Sequence, residues 1–405
     1  MIVRANQLFA EINGVIFSHV FMKKDVLIFA MMTWEDFQCG VDNTNAHILR
    51  WLLKRQDVRK IFFVDFRQFD FTSKLKYFLK TKPFLKKKSG VFYRFSYGVD
   101  RVSDRLFRYA GFGGNLPKIV HSFDIQPEEV WSFNPLDSSF LRLFPKAKKI
   151  FYNIDDWRAN HLFRSQTELL DKNYLLNKTE ADFIFTPSAQ LIGSLWSGSK
   201  KAFHINNAVD LEFFKTPEKT PPEIKDSLKS KLRGLKKPLI GYMGVITPDR
   251  VDYELVNYLA ARNSDKTFVF GGPVWGGFKA EKLTQQNPNI KFIGMIHYQE
   301  MPYLFSKFDV CLIPHLLNNF TKTMNPKKLY EYLAAGKPVV STRVAGSESF
   351  GEIVYLASSA HEFNEKIKKA LEEDSDELRQ ARWAKVKPQT WEARFKEISA
   401  ILGLK

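Results

Sequence analysis

In the run PKKLYEYLAAGKPVVST, Lys328 and Glu331 place a cation and a carboxylate three residues apart at the start of what reads as one helix. Pro326 fits the first turn, where a missing N–H costs nothing, and Asn325 is then the natural N-cap. The helix continues through KKLYEYLAA and stops at Gly336, ahead of Pro338 and the strand VVST. A helix N-terminus offers unpaired N–H groups and the positive end of a dipole, which suit phosphate, and Lys328 adds a full charge. Glu331, one turn deeper, can accept hydrogen bonds from two neighbouring hydroxyls. Phosphate beside a diol describes a nucleoside diphosphate, with pyrophosphate on the helix end and ribose on the carboxylate. The same spacing also describes a surface i,i+3 ion pair worth about 0.2–0.5 kcal/mol, and spacing alone does not choose between the two.

Two more groups carry candidate chemistry. FYNIDDWRAN follows a β-rich run, so Asp155 and Asp156 are expected at the C-terminal edge of a sheet, where open α/β sheets bind ligands. Adjacent carboxylates there can orient sugar hydroxyls or shield a developing oxocarbenium ion, although such a pair also serves as a helix cap or a turn. TWEDFQCG, just after VLIFAM, offers Trp34, Glu35, Asp36 and Gly40 as acceptor contacts, with Trp34 equally suited to a core. The eight histidines form no HxH or HxxxH pair, and His121 and His297 read as structural, so no metal is expected. Neither a Walker loop, a GxSxG elbow nor a GxGxxG stretch occurs, and GGPVWGGF reads as a turn.

These groups need a scaffold, and 405 residues are too many for one ordinary core, so two domains are expected. The strand candidates are VLIFAM, KIFFVDF, KIVHSF, EVWSFN, KIFYNID, DFIFTPS and AFHINN in the first half. PLIGYMG, TFVFGG, IKFIG, DVCLIP, PVVST and EIVYLA follow in the second. Helix-like segments separate them, which argues for α/β layers with mainly parallel sheets. The Pro- and Lys-rich FKTPEKTPPEIKDSLKSKLRGLKKP reads as the linker region. TWEARFKEISAILGLK spaces Trp391, Phe395, Ile398 and the pair Ile401/Leu402 as an amphipathic terminal helix.

Only two cysteines occur, Cys39 and Cys311, which rules out a disulfide framework and suits a reducing cytoplasm. The N-terminal 24 residues are mixed in character and lack the order of a secretion signal. The formal charge of +17 asks for an anionic partner. Residues 74–108 hold eleven basic residues against Asp100 and Asp104, and KLKYFLKTKPFLKKK interleaves lysines with aromatics. That pattern suits an anionic membrane surface; nucleic acid is the rival and a solvated loop the plain alternative.

PKKLYEYLAAGKPVVST resembles the donor-site signature of retaining GT-B glycosyltransferases of the glycogen-synthase-like group (family 4, group 1). It is most similar to the branch that makes teichuronic acid and other surface polysaccharides. IGYMGVITPDRVDYELVNYLA, NIKFIGMIHYQEMPYLFSKFDVCLIP, NNAVDLEFF and TEADFIFTPSAQL resemble further family segments, with Ala208 where the family's interdomain turn has glycine. The resemblance implies a GT-B fold of two Rossmann-like, doubly wound domains facing a central cleft: an acceptor domain over 1–208 and a donor domain over 209–388. The helix 389–405 is then placed to pack back on the first domain. Implied donor contacts are Gly244, Arg250, Ile296, Pro314, Thr321, Thr323, Asn325, Lys328 and Glu331, with Asp155, Asp156 and Lys328 at the reaction. The implied activity is retaining transfer of a hexosyl group from a nucleotide sugar to a saccharide or lipid-linked acceptor, without a metal, at the inner face of the membrane. Two departures stand out. Thr323 occupies the place of an upstream family glutamate, leaving Thr321 or Asn325 to hold the donor sugar, and Val245 follows Gly244 where a basic residue is usual, leaving Arg250 as its replacement. A nucleotide-sugar 2-epimerase of the same architecture and a non-catalytic polyanion- or nucleic-acid-binding protein are the alternatives.

Overall fold

The computed structural model describes residues 23–38, 40, 43–66, 92–94, 97–111 and 114–404. The N-terminal extension and most of the basic segment 74–108, including Lys80, Lys82 and Lys86 to Lys88, lie outside the described residues.

The first sheet contains β1 (Lys24–Phe29), β2 (Val58–Val64), β3 (Phe92–Arg94), β4 (Tyr97–Arg101), β5 (Leu106–Gly111), β6 (Pro127–Ser132), β7 (Lys148–Tyr152), β8 (Phe183–Thr186) and β9 (Ala202–His204). Their order is β3-β4-β5-β2-β1-β6-β7-β8-β9. The run β5-β2-β1-β6-β7 is parallel, and β3-β4-β5 is an antiparallel edge. The second sheet contains β10 (Leu239–Met243), β11 (Thr267–Gly271), β12 (Ile290–Gly294), β13 (Val310–Ile313), β14 (Val339–Thr342) and β15 (Val354–Ala357). It is parallel throughout, in the order β12-β11-β10-β13-β14-β15. Counted within its own half this is 3-2-1-4-5-6, the doubly wound order whose switch point falls between β10 and β13.

Period-2 alternation explains why these strands read as continuous apolar runs. Leu239, Met243, Val269, Cys311 and Ile313 pack on one face of the second sheet, and Ile240, Tyr242, Phe268, Phe270, Val310 and Leu312 on the other. A parallel sheet covered by helices on both faces buries both sets.

The chain forms two compact units. The first takes in Met1–Phe37, Asn43–Phe151 and Glu180–Asp182; the second takes in Gln38–Asp42, Tyr152–Thr179 and Phe183–Lys405. Residues 152–179 and 183–208, read from the sequence as the end of the first domain, are thus compact with the second unit.

Three readings of elements are corrected. KIVHSF is not a strand but part of the helix Leu116–Ser122, because the Asn115 side chain accepts from the N–H of Lys118 and Pro117 sits in the first turn. The segment read as a linker contains the helix Pro222–Leu232, with Leu228 fully buried. β4 and β5 were missed because Arg101, Arg105 and Arg108 disguise them. Arg105 donates to the carbonyls of Leu53, Arg55 and Val58, and Arg108 forms ion pairs with Asp65, Glu35 and Asp100. Those charges are spent inside the fold. In the tail, the helix Trp391–Leu402 buries Trp391, Ile398 and Leu402, as its spacing requires.

Candidate active site

The donor-signature helix spans Lys327–Ala334, one residue later than its sequence suggests. Pro326 is the N-cap, and Asn325 caps nothing: its side-chain amide donates to the Pro187 carbonyl and to Asn206 Oδ1. Residues 329–334 are all buried, and Tyr332 Oη accepts the N–H of Met243 at 2.7 Å, which fixes the helix against the end of β10. Lys327 and Lys328 therefore open the helix beside the switch point.

Lys328 points toward β10. Its Nζ donates to Tyr242 Oη at 2.8 Å, lies 3.2 Å from His315 Nε2 and sits 4.3 Å from the centre of the Tyr242 ring. Gly244 closes this side. Its φ of +133° disfavours any side chain, and an added Cβ would stand 3.1 Å from Lys328 Nζ. Backbone therefore approaches the ammonium closely, leaving peptide groups rather than side chains around a bound group.

Arg250 enters from the loop after β10. That loop runs antiparallel to the chain leaving β13: Leu316 N donates to the Arg250 carbonyl, Asp252 N to the Pro314 carbonyl, and Val251 bridges His315. The Arg250 guanidinium lies over the Phe320 ring at 5.3 Å, and its buried Nε has no hydrogen-bond partner among the described residues. His315 Nδ1 is likewise buried without a partner. Burial, reinforced by Arg250, holds Lys328 well below its usual lysine range, while Glu331 opposes the shift. Burial, then the charges of Lys328 and Arg250, push His315 far down and leave it neutral. Two cationic side chains and a neutral imidazole thus converge on one spot, and an anion placed there would relieve the repulsion between Lys328 and Arg250.

Glu331 is buried rather than on the surface, and its ion partner is Lys327, at 3.3 Å across one turn. The ion pair with Glu331 is therefore made by Lys327, one residue before the expected Lys328, which turns toward Tyr242 instead. Pro314 ends β13 and Ile296 is a core residue, 4% exposed, so neither side chain is presented as a contact. Thr321 is corrected. It is fully buried, accepts the N–H of Asn318 and donates to the Leu316 carbonyl, so it cannot also hold a sugar. Thr323 donates to the Phe320 carbonyl and stays half-buried.

The two aspartates separate in role. Asp156 caps the turn Trp157–Ala159, and its carboxylate takes both Nε and Nη2 of Arg158, at 2.8 and 2.7 Å. This is the cap alternative read from the sequence, with the carboxylate held by Arg158. Asp155 is half-buried, and desolvation lifts its carboxyl to about 6 against the attraction of Arg250, with Asp156 adding to the rise. Of the acceptor candidates, Trp34 is the one that burial contradicts. Trp34 is core, stacked on Phe37 at 5.0 Å and edge-on to Phe63; Asp36 Oδ2 accepts from Thr33 N and Oγ1; Gly40 is a turn residue at φ +78°.

Sequence reasoning missed His315, Tyr242 and the pair His161–Asp249, whose Nδ1 and Oδ2 lie 2.9 Å apart. For His315 a signal existed, since DVCLIPH puts it just past the end of a switch-point strand. His161 had none. It meets Gly276, where an added Cβ would lie 2.1 Å from His161 Nε2, a contact between segments far apart in sequence.

The model of a family described as glycosyl transferase-like matches residues 253–400. The chain is 26% identical over 217 residues to TuaH of Bacillus subtilis, whose name assigns it provisionally as a teichuronic acid biosynthesis glycosyltransferase. That alignment covers 52% of this chain and 53% of TuaH, so the chain spans about half the length of the curated relative it matches. Among solved structures, HepE of Anabaena in complex with UDP superposes with a TM-score of 0.63 at 14% identity, over 94% of this chain and 100% of that one. Sucrose-phosphate synthase of Thermosynechococcus elongatus gives 0.65 at 14% identity, over 94% and 98%. The fold is GT-B, with two Rossmann-like parallel-sheet domains, and the resemblance read from the donor signature holds.

Proposed function

We propose that this protein is a glycosyltransferase that moves a sugar from a nucleotide-sugar donor, held by the region 209–388, to a saccharide or lipid-linked acceptor. One observation carries this reading: Lys328, Arg250 and His315 converge with the backbone of Gly244 at the switch point of the second sheet. A pyrophosphate there would take charge from Lys328 and Arg250 and N–H groups from the helix end. As the glycosidic C–O bond breaks, charge gathers on the departing phosphate oxygen, and those fixed groups stabilise it without reorganising. This work falls to protein groups, so a chelator should leave turnover intact. The bound UDP of HepE and the name of TuaH support a nucleotide donor and a role in surface polysaccharide synthesis. Retention at the anomeric carbon, acceptor binding by residues 1–208 and peripheral attachment to the inner membrane face complete the proposal. Among the described residues no helix is long and apolar enough to cross a membrane.

The test is a thermal-stabilisation screen with UDP, GDP, ADP and dTDP and their sugars. At least one diphosphate should raise the melting temperature of the wild type and fail to do so with Lys328→Ala. If none binds, the donor site does not exist as described.

A further inference from the structure

The pair formed by His315 and Lys328 goes beyond the general need for positive charge at a phosphate site. His315 is completely buried, and its backbone is fixed on three sides. Thr342 Oγ1 donates to its carbonyl at 2.8 Å, Val251 bridges it, and the next residue, Leu316, donates to Arg250. Its ring stands edge-on to Tyr242, with centroids 6.1 Å apart. Such a ring has little freedom, so its Nε2 is a fixed point 3.2 Å from Lys328 Nζ. An ammonium has three donors and no acceptor, so a Lys328 that is charged donates to Nε2, and the imidazole proton sits on Nδ1. Tyr242 Oη takes the second N–H of Lys328, since its own proton goes to the Val245 carbonyl at 3.0 Å. In the charged form of Lys328, two of its three donors are thereby pinned.

We propose that His315 is a positioning residue. As a neutral acceptor it joins Tyr242 in orienting the Lys328 ammonium, so that the third N–H faces the phosphate position beside Gly244. The groups around this pair are Arg250 from the loop after β10, Tyr242 from β10, and Glu331 from the helix of Lys328 itself. No carboxylate touches the imidazole among these, so its neutrality follows from burial beside two cations. Protonating it would convert the acceptor into a third cation and release the lysine. The role deepens the donor-site reading, on which it rests, and its test separates the two.

The pH dependence of Lys328 acylation is followed by quantitative mass spectrometry in wild type, His315→Leu and His315→Gln, with melting temperatures recorded for each. Loss of the acceptor disfavours the ammonium, so the Leu variant should become reactive at lower pH. The Gln variant, whose Oε1 can accept the same hydrogen bond, should return toward wild type. UDP affinity should drop about tenfold in the Leu variant and be largely rescued by Gln, as loss of one charge-assisted hydrogen bond implies. A merely structural histidine would lower melting temperature in both variants without moving the acylation profile. Coincident profiles in all three proteins overturn the proposal. Wild type that binds no nucleoside diphosphate overturns the donor-site reading instead, while the acylation profiles still decide the role of His315.

Discussion

On the proposed reading, Lys328 is the residue on which donor binding turns. In the free protein its proton is held weakly, because burial and Arg250 oppose the charge. A bound diphosphate favours that charge and raises the lysine back toward its ordinary range. Between the depressed free value and the raised bound value, binding must take up a proton, so affinity falls as pH rises through that window and levels off below it. Calorimetry in buffers of different ionisation enthalpy measures the uptake directly; wild type should show it and Lys328→Ala should not. The aspartates make a second residue-scale contrast. Asp155 carries a carboxyl raised to about 6, so the folded state binds more protons than the unfolded state from about 4 upward, and this group costs stability as pH rises through that range. Asp155→Asn should therefore be more stable than wild type at pH 7, with the margin vanishing near pH 4, and should turn over more slowly. Asp156→Ala loses a cap and an ion pair, so it should be less stable by about 1 kcal/mol with nucleotide affinity preserved. Chemical denaturation at the two pH values, paired with initial rates, separates these outcomes.

At the scale of elements, the site is the meeting of two strand ends and one helix start. β10 contributes Tyr242 and the bend at Gly244, β13 leads into His315, and the helix Lys327–Ala334 brings Lys328, anchored through Tyr332 to Met243. The hydrogen bonds from Gly244 N to the Gly271 carbonyl and from Gly272 N to the Gly294 carbonyl keep the ends of β10, β11 and β12 level. A methyl group at position 244 would have to survive φ +133° and a 3.0 Å approach to Lys328 Cε. Gly244→Ala should thus cost about 1–3 kcal/mol of stability through backbone strain and displace the ammonium. Nucleoside diphosphate affinity measured by calorimetry should fall at least tenfold; an unchanged value would mean the backbone here is not part of the site.

For the molecule as a whole, charge is the property that reaches beyond the donor site. Arg101, Arg105 and Arg108 are tied to acidic groups or carbonyls within the first unit, so the proposed attachment to an anionic surface rests on the lysines of 74–88, which lie outside the described residues. Replacing Lys80, Lys82, Lys86, Lys87 and Lys88 by Gln should abolish co-sedimentation with anionic vesicles and leave nucleotide affinity alone. Each such lysine contributes about 1 kcal/mol near an anionic surface, and salt should weaken the attraction over a screening length of about 10 Å at 0.1 M. Equal pelleting of variant and wild type would return these lysines to the role of a soluble loop.

The sequence alone determined what depends on neighbours along the chain. Apolar runs bounded by turns gave all six strands of the second sheet, and Pro326 and Gly336 bracketed its donor helix to within a residue or two. Lys328 was legible for the same reason, since its place at a helix start is a local fact. Where local cues conflicted, the stronger cap won: Asn115 and Pro117 made a helix of a β-like run, and arginines paired across strands hid β4 and β5. Only the tertiary structure could decide which partner each polar group finds. Asp156 is claimed by Arg158 and Thr321 by the Leu316 carbonyl, while His315 meets Lys328 because the chain leaving β13 and the start of the helix Lys327–Ala334 both stand against Tyr242 of β10. The longer-range partnerships, Lys328 with Tyr242 and Tyr332 with Met243, are set by strand order, since a doubly wound sheet places neighbours in space that are dozens of residues apart in sequence.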